Sequence, residues 1–471
     1  MLLPDLLGPV PTRATTLPIA GVDVRDLAYD SRRVQNGTLF FCVPGAVADG
    51  HDHAAAAVAA GACALVVERE LPLPVPQVVV DSCRAAMGPI ADVFFDQPSA
   101  RLLVLGVTGT NGKTTTAYLQ HAILAAAGHT AGLLGTIERR IGGVAEPAQR
   151  TTAEAIDLQR DLRRMLDAGD TACAMEVSSH ALDQQRVAGV RFAAAAFTNL
   201  TQDHLDYHAD MEAYFAAKAL LFDGRCPTAA NADDAYGRRL PADLRFGLAA
   251  PDAGVRAEDV RYGAHGTAFR LHTPWGDAEV ATRLVGRFNV ENALAAVSSA
   301  GLAGVPLAAI VAGLEGVAGV PGRLEVVSGD RPFSVIVDYA HTADALENVL
   351  CALRPLATGR LIVVFGCGGD RDRGKRPTMA RVACALADEV IITTDNPRSE
   401  DPLAIIAEVA AGADGRHAVE PDRRRAIEHA IAAAGPGDVV LIAGKGHEQG
   451  QDVAGIITPF DDRVVACEVL A

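Results

Sequence analysis

Aromatic side chains are scarce in this chain: a single tryptophan, Trp275, stands in 471 residues, and Phe, Tyr and Trp together make up 5%. A core so poor in rings has to be built from small and aliphatic groups. The 49% hydrophobic content and 45 glycines match an α/β enzyme whose Ala-rich helices pack closely on sheets. Positive charge is short as well. Lys and Arg number 42 against 58 Asp and Glu, a formal charge of -16, which argues against a nucleic-acid-binding surface, since phosphate backbones call for clustered cations. An anionic ligand would have to be met locally. The nine cysteines form no Cys-x-x-Cys pair and no Cys/His cluster, so neither a zinc ribbon nor a disulfide framework is indicated, and they are expected to be small buried apolar groups. No apolar run reaches the ~20 residues of a membrane span. The first twenty residues, broken by Pro4, Asp5, Pro9, Pro11 and Arg13, lack the basic start and apolar block of a secretion signal. The expectation is a cytoplasmic protein with no membrane insertion and no nucleic-acid partner.

What is present is most informative at Gly106-Val-Thr-Gly-Thr-Asn-Gly-Lys113-Thr114. The apolar run Leu102 to Leu105 before it reads as a buried strand, and Thr115 to Ala127 after it reads as a helix. Glycines let the backbone approach phosphates, the helix start aims N–H groups at them, Lys113 supplies a compact charge, and Thr114 can offer its hydroxyl to Mg²⁺. The common phosphate-loop spacing places glycine where this chain has Val107.

At ~150 residues per domain the length suggests about three domains, and turn chemistry divides the chain at Asp96-Gln-Pro-Ser99 and Pro321-Gly322. Residues 1–97 alternate strand-like runs (Gly37 to Val43, Ala64 to Val67) with the Ala-rich stretch Ala54 to Ala60. In 98–322, the runs Leu102 to Leu105, Ala172 to Met175 and Ala193 to Phe197 alternate with helical patterns, as in a mostly parallel sheet flanked by helices. In 323–471, Ser334 to Val337, Leu361 to Phe365, Glu389 to Thr393 and Val439 to Ile442 repeat that rhythm, and an open α/β domain gathers its ligand groups at the carboxyl ends of such strands.

Polar residues lie at those ends. Glu176 follows Ala172 to Met175 and fits either a loop carboxylate or a Mg²⁺ ligand beside Thr114. Thr198 to His208 leaves another strand carrying Asp203, His204, Asp206 and His208, a segment suited to a second metal or to phosphate. Four further clusters, Asp338-Tyr-Ala-His341, Gly366 to Arg371, Asp395-Asn396-Pro-Arg398 and Gly444-Lys-Gly-His-Glu448, end four strands of the third segment. Arg371, Arg398, Asn396 and Glu448 would suit a ligand carrying both carboxylate and ammonium groups.

Together these motifs, with Asp30-Ser31-Arg32, Thr151-Thr152, Glu176-Val-Ser-Ser-His180 and Gly322-Arg323, resemble the Mur ligase family across all three segments. Val107 ceases to be a departure, because the family's own loop reads Gly-x-x-Gly-x-Asn-Gly-Lys-Thr. The resemblance implies a small N-terminal UDP-binding α/β domain, a central P-loop ATPase domain, and a C-terminal Rossmann-like domain that binds an amino acid. It implies ATP and Mg²⁺ as cofactors, with ATP contacts from Thr108, Gly109, Thr110, Asn111, Gly112, Lys113, Thr114, Thr115, Asn292, Arg323 and Asp338. Ser31, Thr151, Thr152, Ser178, Gln184 and Arg186 would contact a UDP-muramoyl peptide. Lys218, otherwise an ordinary helix lysine, matches a family lysine that is carbamylated to N6-carboxylysine. As the carbamate it would join Thr114, Glu176 and His204 in holding metal, and Lys113, Lys218, Glu176 and His204 are the expected catalytic set. Asp395-Asn-Pro-Arg398 marks the diaminopimelate-adding type, with Arg371, Asp395, Asn396, Arg398, Gly444 and Glu448 in the pocket. Arginine is the cation that the second carboxylate of diaminopimelate, absent from lysine, requires. The implied reaction is ATP-dependent addition of meso-diaminopimelate to UDP-N-acetylmuramoyl-L-alanyl-D-glutamate through an acyl phosphate, by a monomeric cytoplasmic enzyme of cell-wall precursor synthesis. The alternatives are folylpolyglutamate synthase, which lacks the first domain and the Asp-Asn-Pro-Arg signature, and a nucleotide-switched or catalytically silent binding protein.

Overall fold

A computed structural model describes residues 1–45, 48–263, 266–329, 331–415 and 417–471. The chain is α/β throughout and divides into two compact units, one of residues 1–106, 129–193 and 223–226, the other of 107–128, 194–222 and 227–471.

In the first unit, strands β1 (Ala14–Thr15), β2 (Asp26–Ala28), β3 (Thr38–Phe41), β4 (Ala62–Val67) and β5 (Gln77–Val79) form a sheet in the order β1-β5-β4-β3-β2. It is parallel except for β1, which runs antiparallel to β5. Strand β3 is buried at every residue, and of β4 only Cys63 is partly exposed, which is why they read as unbroken apolar runs and not as alternating ones. The Cys83–Phe94 helix starts where Ser82 Oγ accepts the Ala85 N–H at 3.3 Å. Strand β6 (Leu103–Thr108) belongs to this unit as far as Gly106. Strands β7 (Ala131–Leu134), β8 (Glu138–Ile141), β9 (Val144–Pro147) and β10 (Ala172–Glu176) follow. Here β7 pairs parallel with β10 and antiparallel with the β8–β9 hairpin, so Glu176 is itself the last strand residue.

The second unit holds β11 (Ala194–Phe197), β12 (Thr228–Asn231), β13 (Leu244–Gly247), β14 (Val255–Gly263), β15 (Gly266–Thr273) and β16 (Gly276–Thr282). They pair in that order, parallel from β11 to β14 and antiparallel from β14 to β16. The antiparallel tail is the part that the sequence pattern does not announce, since β14 carries Arg256, Glu258, Asp259 and Arg261 and exposes most of its length.

A second sheet of this unit comprises β17 (Glu325–Val326), β18 (Ser334–Asp338), β19 (Leu361–Phe365), β20 (Glu389–Ile392), β21 (Ala418–Val419) and β22 (Val439–Ala443), ordered β17-β18-β22-β19-β20-β21 and parallel from β18 onward. Its strands alternate between two cores. Val363 and Phe365 pack with Leu346, Leu350 and Met379 from helices on one face, while Ile362 and Val364 pack with Ile427, Ala430 and Val465 from helices on the other. A hairpin, β23 (Gly450–Val453) with β24 (Ile456–Pro459), follows.

All nine cysteines are free, but they are not uniformly buried as the composition suggested. Cys42, Cys83, Cys173 and Cys367 are buried, with burial pushing the Cys42 thiol up to about 12, whereas Cys351 and Cys467 are exposed on helices. Among the described residues no helix is long and apolar enough to cross a membrane.

Candidate functional site

The phosphate-type loop turns directly into the 14-residue helix Lys113–Ala126, which starts two residues before the expected Thr115. Gly112, with φ +86°, is obligatory there: a Cβ would lie 2.1 Å from Asn292 Oδ1 and the backbone is left-handed. The loop is held by the segment leaving β11. Thr110 N–H donates to Asn199 O at 2.8 Å and Asn111 N–H to Asn199 Oδ1 at 2.9 Å. Lys113 Nζ donates to the carbonyls of Gly109 and Thr110 at 3.0 and 2.8 Å, so it curls over the loop it would serve. From the C-terminal part of the same unit, Arg323 Nη2 donates to Thr114 Oγ1 at 3.1 Å, and its guanidinium lies 4.5 Å from the Tyr339 ring centre. Asp338 accepts the N–H groups of Leu324 and Ala340, both at 2.7 Å; burial raises its carboxyl, with Arg323 opposing.

A cleft results, lined by Asn111, Gly112, Thr114, Thr115, Asn292, Arg323 and Asp338 of the expected ATP contacts, together with Asn199, Phe288, Glu291 and His341. Thr108, Gly109, Thr110 and Lys113 do not line it: Thr108 ends β6, Gly109 and Thr110 lie in the loop, and Lys113 begins the helix. A helix N-terminus that starts with a lysine, and an arginine on the cleft, make a place for a polyphosphate. Nothing in the sequence singles out Asp344. It accepts from Asn111 Nδ2 at 2.7 Å and from Thr201 Oγ1 at 3.3 Å, joining its helix to the loop.

The Met211–Ala219 helix is capped by Asp210, which accepts the Ala213 N–H at 2.8 Å, and carries Lys218 into the interior. Lys218 is 1% exposed. Its Nζ donates to Gly109 O at 2.7 Å and sits 4.7 Å from the Tyr214 ring centre. Burial and the neighbouring Lys113 charge hold the amine well below the usual lysine range, against the pull of Asp203. His204, in a left-handed conformation at φ +55°, places Nε2 3.5 Å from Asp203 Oδ2, and His341 Nε2 approaches the same oxygen at 4.0 Å. Burial works against the Asp203 carboxylate, but His204, His341 and Lys375 keep it below the ordinary range. Among the described residues no group of three or more His, Cys, Asp or Glu side chains is arranged to hold a metal ion.

In the first unit, Glu176 Oε1 accepts the Thr136 N–H at 2.8 Å, and Oε2 accepts the Thr136 hydroxyl at 3.0 Å. The same hydroxyl lies within hydrogen-bond distance, 3.0 Å, of Thr151 Oγ1. Thr152 Oγ1 donates to Glu176 O at 2.9 Å and accepts the Ser178 N–H at 3.1 Å. Arg186 donates to Thr152 O at 3.1 Å and to Gln184 Oε1 at 2.7 Å, and pairs with Glu154 at 3.0 Å. Five residues expected to contact the muramoyl peptide therefore share one network with Glu176. Beside them a cleft is lined by Arg32, Arg33, Arg139 and Arg150 along with Thr151 and Thr152. Ser31 opens the short turn Ser31–Arg33, whose Asp30 cap accepts the Arg32 N–H at 3.0 Å, and its neighbours rather than Ser31 line the cleft.

The third-segment clusters also converge. Asn396 Nδ2 donates to Glu448 Oε2 at 2.7 Å, and Arg398, at φ +50°, donates through Nη1 to Gly369 O at 2.7 Å. Gly369 N–H reaches Asn396 O at 2.9 Å, closing the loop after β19 onto the loop after β20. Arg371 donates to its neighbour Asp370 O at 2.9 Å. Asp395 is buried, which alone would raise its carboxyl, yet Arg423 and Lys445 hold it down. Arg423 makes a two-armed pair with Asp462 at 2.8 and 2.6 Å, both fully buried. At Gly444, where φ is +116°, a Cβ would lie 2.6 Å from Asp395 Oδ2, so the position has room for hydrogen alone.

Three family descriptions match this chain: "Mur ligase family, catalytic domain" over residues 23–94, "Mur ligase middle domain" over 107–300, and "Mur ligase, glutamate ligase domain" over 322–446. The chain is 50% identical over 461 residues to the UDP-N-acetylmuramoyl-L-alanyl-D-glutamate--2,6-diaminopimelate ligase of Geobacillus kaustophilus, covering 94% of each. It is 47% identical over 479 residues to the ligase of the same name from Geobacter metallireducens, covering 94% of this chain and 93% of that one. A solved structure bearing this ligase name superposes with a TM-score of 0.69 at 35% identity, covering 98% of this chain and 97% of that one.

Proposed function

The chain belongs to the Mur ligase family, and from that premise we propose that it joins meso-diaminopimelate to UDP-N-acetylmuramoyl-L-alanyl-D-glutamate with consumption of ATP, in peptidoglycan precursor synthesis. The observation that carries this reading is the polar cluster at the strand ends of the C-terminal sheet, where Asn396 bonds Glu448 and Arg398, two residues on, bonds Gly369 O. It offers a cation for a carboxylate and an anion for an ammonium, as the far end of diaminopimelate requires.

A carboxylate is a poor electrophile at neutral pH. In the proposed reaction an oxygen of the substrate's D-glutamate side-chain carboxylate attacks the γ-phosphorus of ATP, and the bond to the bridging oxygen breaks to release ADP. The diaminopimelate amine then attacks the acyl phosphate carbonyl, loses a proton, and expels inorganic phosphate as the amide forms. Lys113 and Arg323 would counter the charge on the moving phosphoryl group, with Gly109 to Thr115 cradling the phosphates and Asn292 and Asp338 placing the nucleoside. Ser31, Thr151, Thr152, Ser178, Gln184 and Arg186 would hold the UDP-muramoyl dipeptide. Arg371, Asp395, Asn396, Arg398, Gly444 and Glu448 would hold the incoming amino acid, leaving its reactive amine oriented for attack.

Mg²⁺ is part of this proposal on donor chemistry: the Thr114 hydroxyl and the Glu176 carboxylate are hard oxygens of the kind this ion prefers, and His204 would be a further donor. The depressed basicity of Lys218 favours the neutral amine that carbamylation consumes, and the carbamate would add an anionic oxygen donor. When bound, the ion would neutralise phosphate charge. The division into 1–97 for UDP, 98–322 for ATP and 323–471 for the amino acid is part of this proposal, as are a monomeric state and a place in the cytoplasm, where the nucleotide substrates are made.

Phosphate release tests the reading. With ATP and UDP-muramoyl dipeptide present, diaminopimelate should stimulate release of phosphate and yield the tripeptide product; no stimulation by diaminopimelate would reject it.

A further inference from the structure

Lys445 lies on the loop after β22, between two glycines of positive φ, Gly444 and Gly446. Its side chain is wholly buried, an unusual place for an ammonium group unless every donor direction is used. Its Nζ donates to Asn396 Oδ1 at 2.9 Å and to Glu448 Oε2 at 2.9 Å. Asn396 then donates through Nδ2 to that same Glu448 oxygen at 2.7 Å, and its Oδ1 also accepts the Asp452 N–H at 3.1 Å from β23.

This triangle removes an ambiguity that an asparagine ordinarily has. An ammonium can only donate and an ionised carboxylate can only accept. With Lys445 on one side and Glu448 on the other, the amide of Asn396 has one orientation and its flipped form would break both bonds. Glu448 is fixed in the same way. Both bonds fall on Oε2, which leaves Oε1 to meet a ligand.

We infer that Lys445 is a positioning residue for the amino-acid substrate: without touching that substrate, it locks Asn396 and Glu448 in the orientation that receives the substrate's amino-acid end. The inference rests on the ligase reading above. Sequence alone hides it, since a lysine beside two glycines reads as a phosphate contact or a solvated loop charge. Burial of the ammonium between Asn396 and Glu448 is what separates it from both. With Arg423, Lys445 also helps hold the buried Asp395 carboxyl below its ordinary range.

The test is steady-state kinetics of phosphate release by the full chain, with each substrate varied in turn, on wild type, Lys445→Met, Lys445→Gln, Asn396→Ala and the Lys445→Met/Asn396→Ala double variant. Charged hydrogen bonds of this kind correspond to a rise of about 10- to 100-fold in the KM for diaminopimelate in Lys445→Met, with the KM values for ATP and UDP-muramoyl dipeptide held within about threefold. Lys445→Gln, which keeps an N–H donor, should fall between wild type and Lys445→Met. The double variant should be impaired by less than the product of the single effects, since both act through one amide. A diaminopimelate KM within about twofold of wild type overturns the inference, and Lys445→Gln decides the matter if the methionine variant does not fold. An equal rise in all three KM values also overturns it, because that is the signature of general loosening. A wild-type protein with no diaminopimelate-dependent release overturns the ligase reading and this inference together, whereas an active wild type with unaffected variants overturns the inference alone.

Discussion

Replacing Lys218 with methionine is expected to separate activity from stability, because the amine is buried where an ammonium ion is disfavoured. Methionine keeps nearly the same unbranched volume, a class of exchange that usually costs under ~1.5 kcal/mol. The loss of the 2.7 Å bond to Gly109 O removes about 1 kcal/mol, and the variant no longer has an amine to desolvate beside Lys113. Above the unfolded value of the amine, where it is neutral in both states, stability should therefore change by no more than about 1–2 kcal/mol, while ligation falls to background if the carbamate is needed. The pH dependence gives a sharper reading. The folded state holds the amine well below its ordinary range, so between that depressed value and the unfolded value near ~10.4 the unfolded chain binds more protons. Stability from this group thus rises with pH across that window, by up to about 1.4 kcal/mol per pH unit, and the penalty is gone above the unfolded value. Urea unfolding of wild type and Lys218→Met in bicarbonate-free buffer, at steps from pH 7 to 10, should show the wild-type midpoint gaining on the variant as pH rises. Parallel curves would show that the lysine carries an ordinary charge in the fold, and full ligase activity in the variant would remove Lys218 from the chemistry.

Arg398→Ala should raise the KM for diaminopimelate by on the order of 10-fold or more and leave that for ATP little changed; initial-rate kinetics decide it, and an unchanged diaminopimelate KM takes Arg398 out of the pocket. Gly112→Ala should weaken nucleotide binding by at least about 10-fold, because left-handed backbone costs ~1–2 kcal/mol for an L side chain and the new Cβ would lie 2.1 Å from Asn292 Oδ1. Calorimetric titration with ADP measures this, and wild-type affinity would mean that the loop relaxes freely.

Much of the α/β framework could be read from the chain because its parallel strands are buried on both faces: Leu361 to Phe365 is the same five residues in pattern and in structure. The antiparallel β14–β16 tail could not, since charges crowd β14 and only the alternation of Phe269 and Leu271 on β15 betrays it. The polar clusters at strand ends were visible because topology puts them there, and the loop at Gly106 to Thr114 because glycine, lysine and a following helix leave few other uses. Lys218 needed the family resemblance. Its helix, Met-Glu-Ala-Tyr-Phe-Ala-Ala-Lys-Ala, gives no sign that its lysine points inward. Lys445, and the buried Arg423–Asp462 pair, 39 residues apart in sequence, were equally hidden, because burial of a charge is decided by partners that only folding brings near.

The hairpin of β23 and β24 bears on how such an enzyme could change its amino acid. Asp452 O accepts the Arg398 N–H at 3.0 Å, Ala454 N–H returns to Arg398 O at 2.7 Å, and Gln451 Nε2 reaches Asp395 O at 2.7 Å. Two of these bonds run from main chain to main chain, and the third ends on a carbonyl. The hairpin therefore splints the 395–398 loop largely without regard to which side chains that loop displays. Such a splint lets the side chain at 398 drift under selection while the loop keeps its shape, whereas Asn396, whose Oδ1 accepts the Asp452 N–H, is itself tied to the hairpin. A laboratory attempt to retarget the enzyme would accordingly do best to leave 450–459 alone and vary the displayed residues.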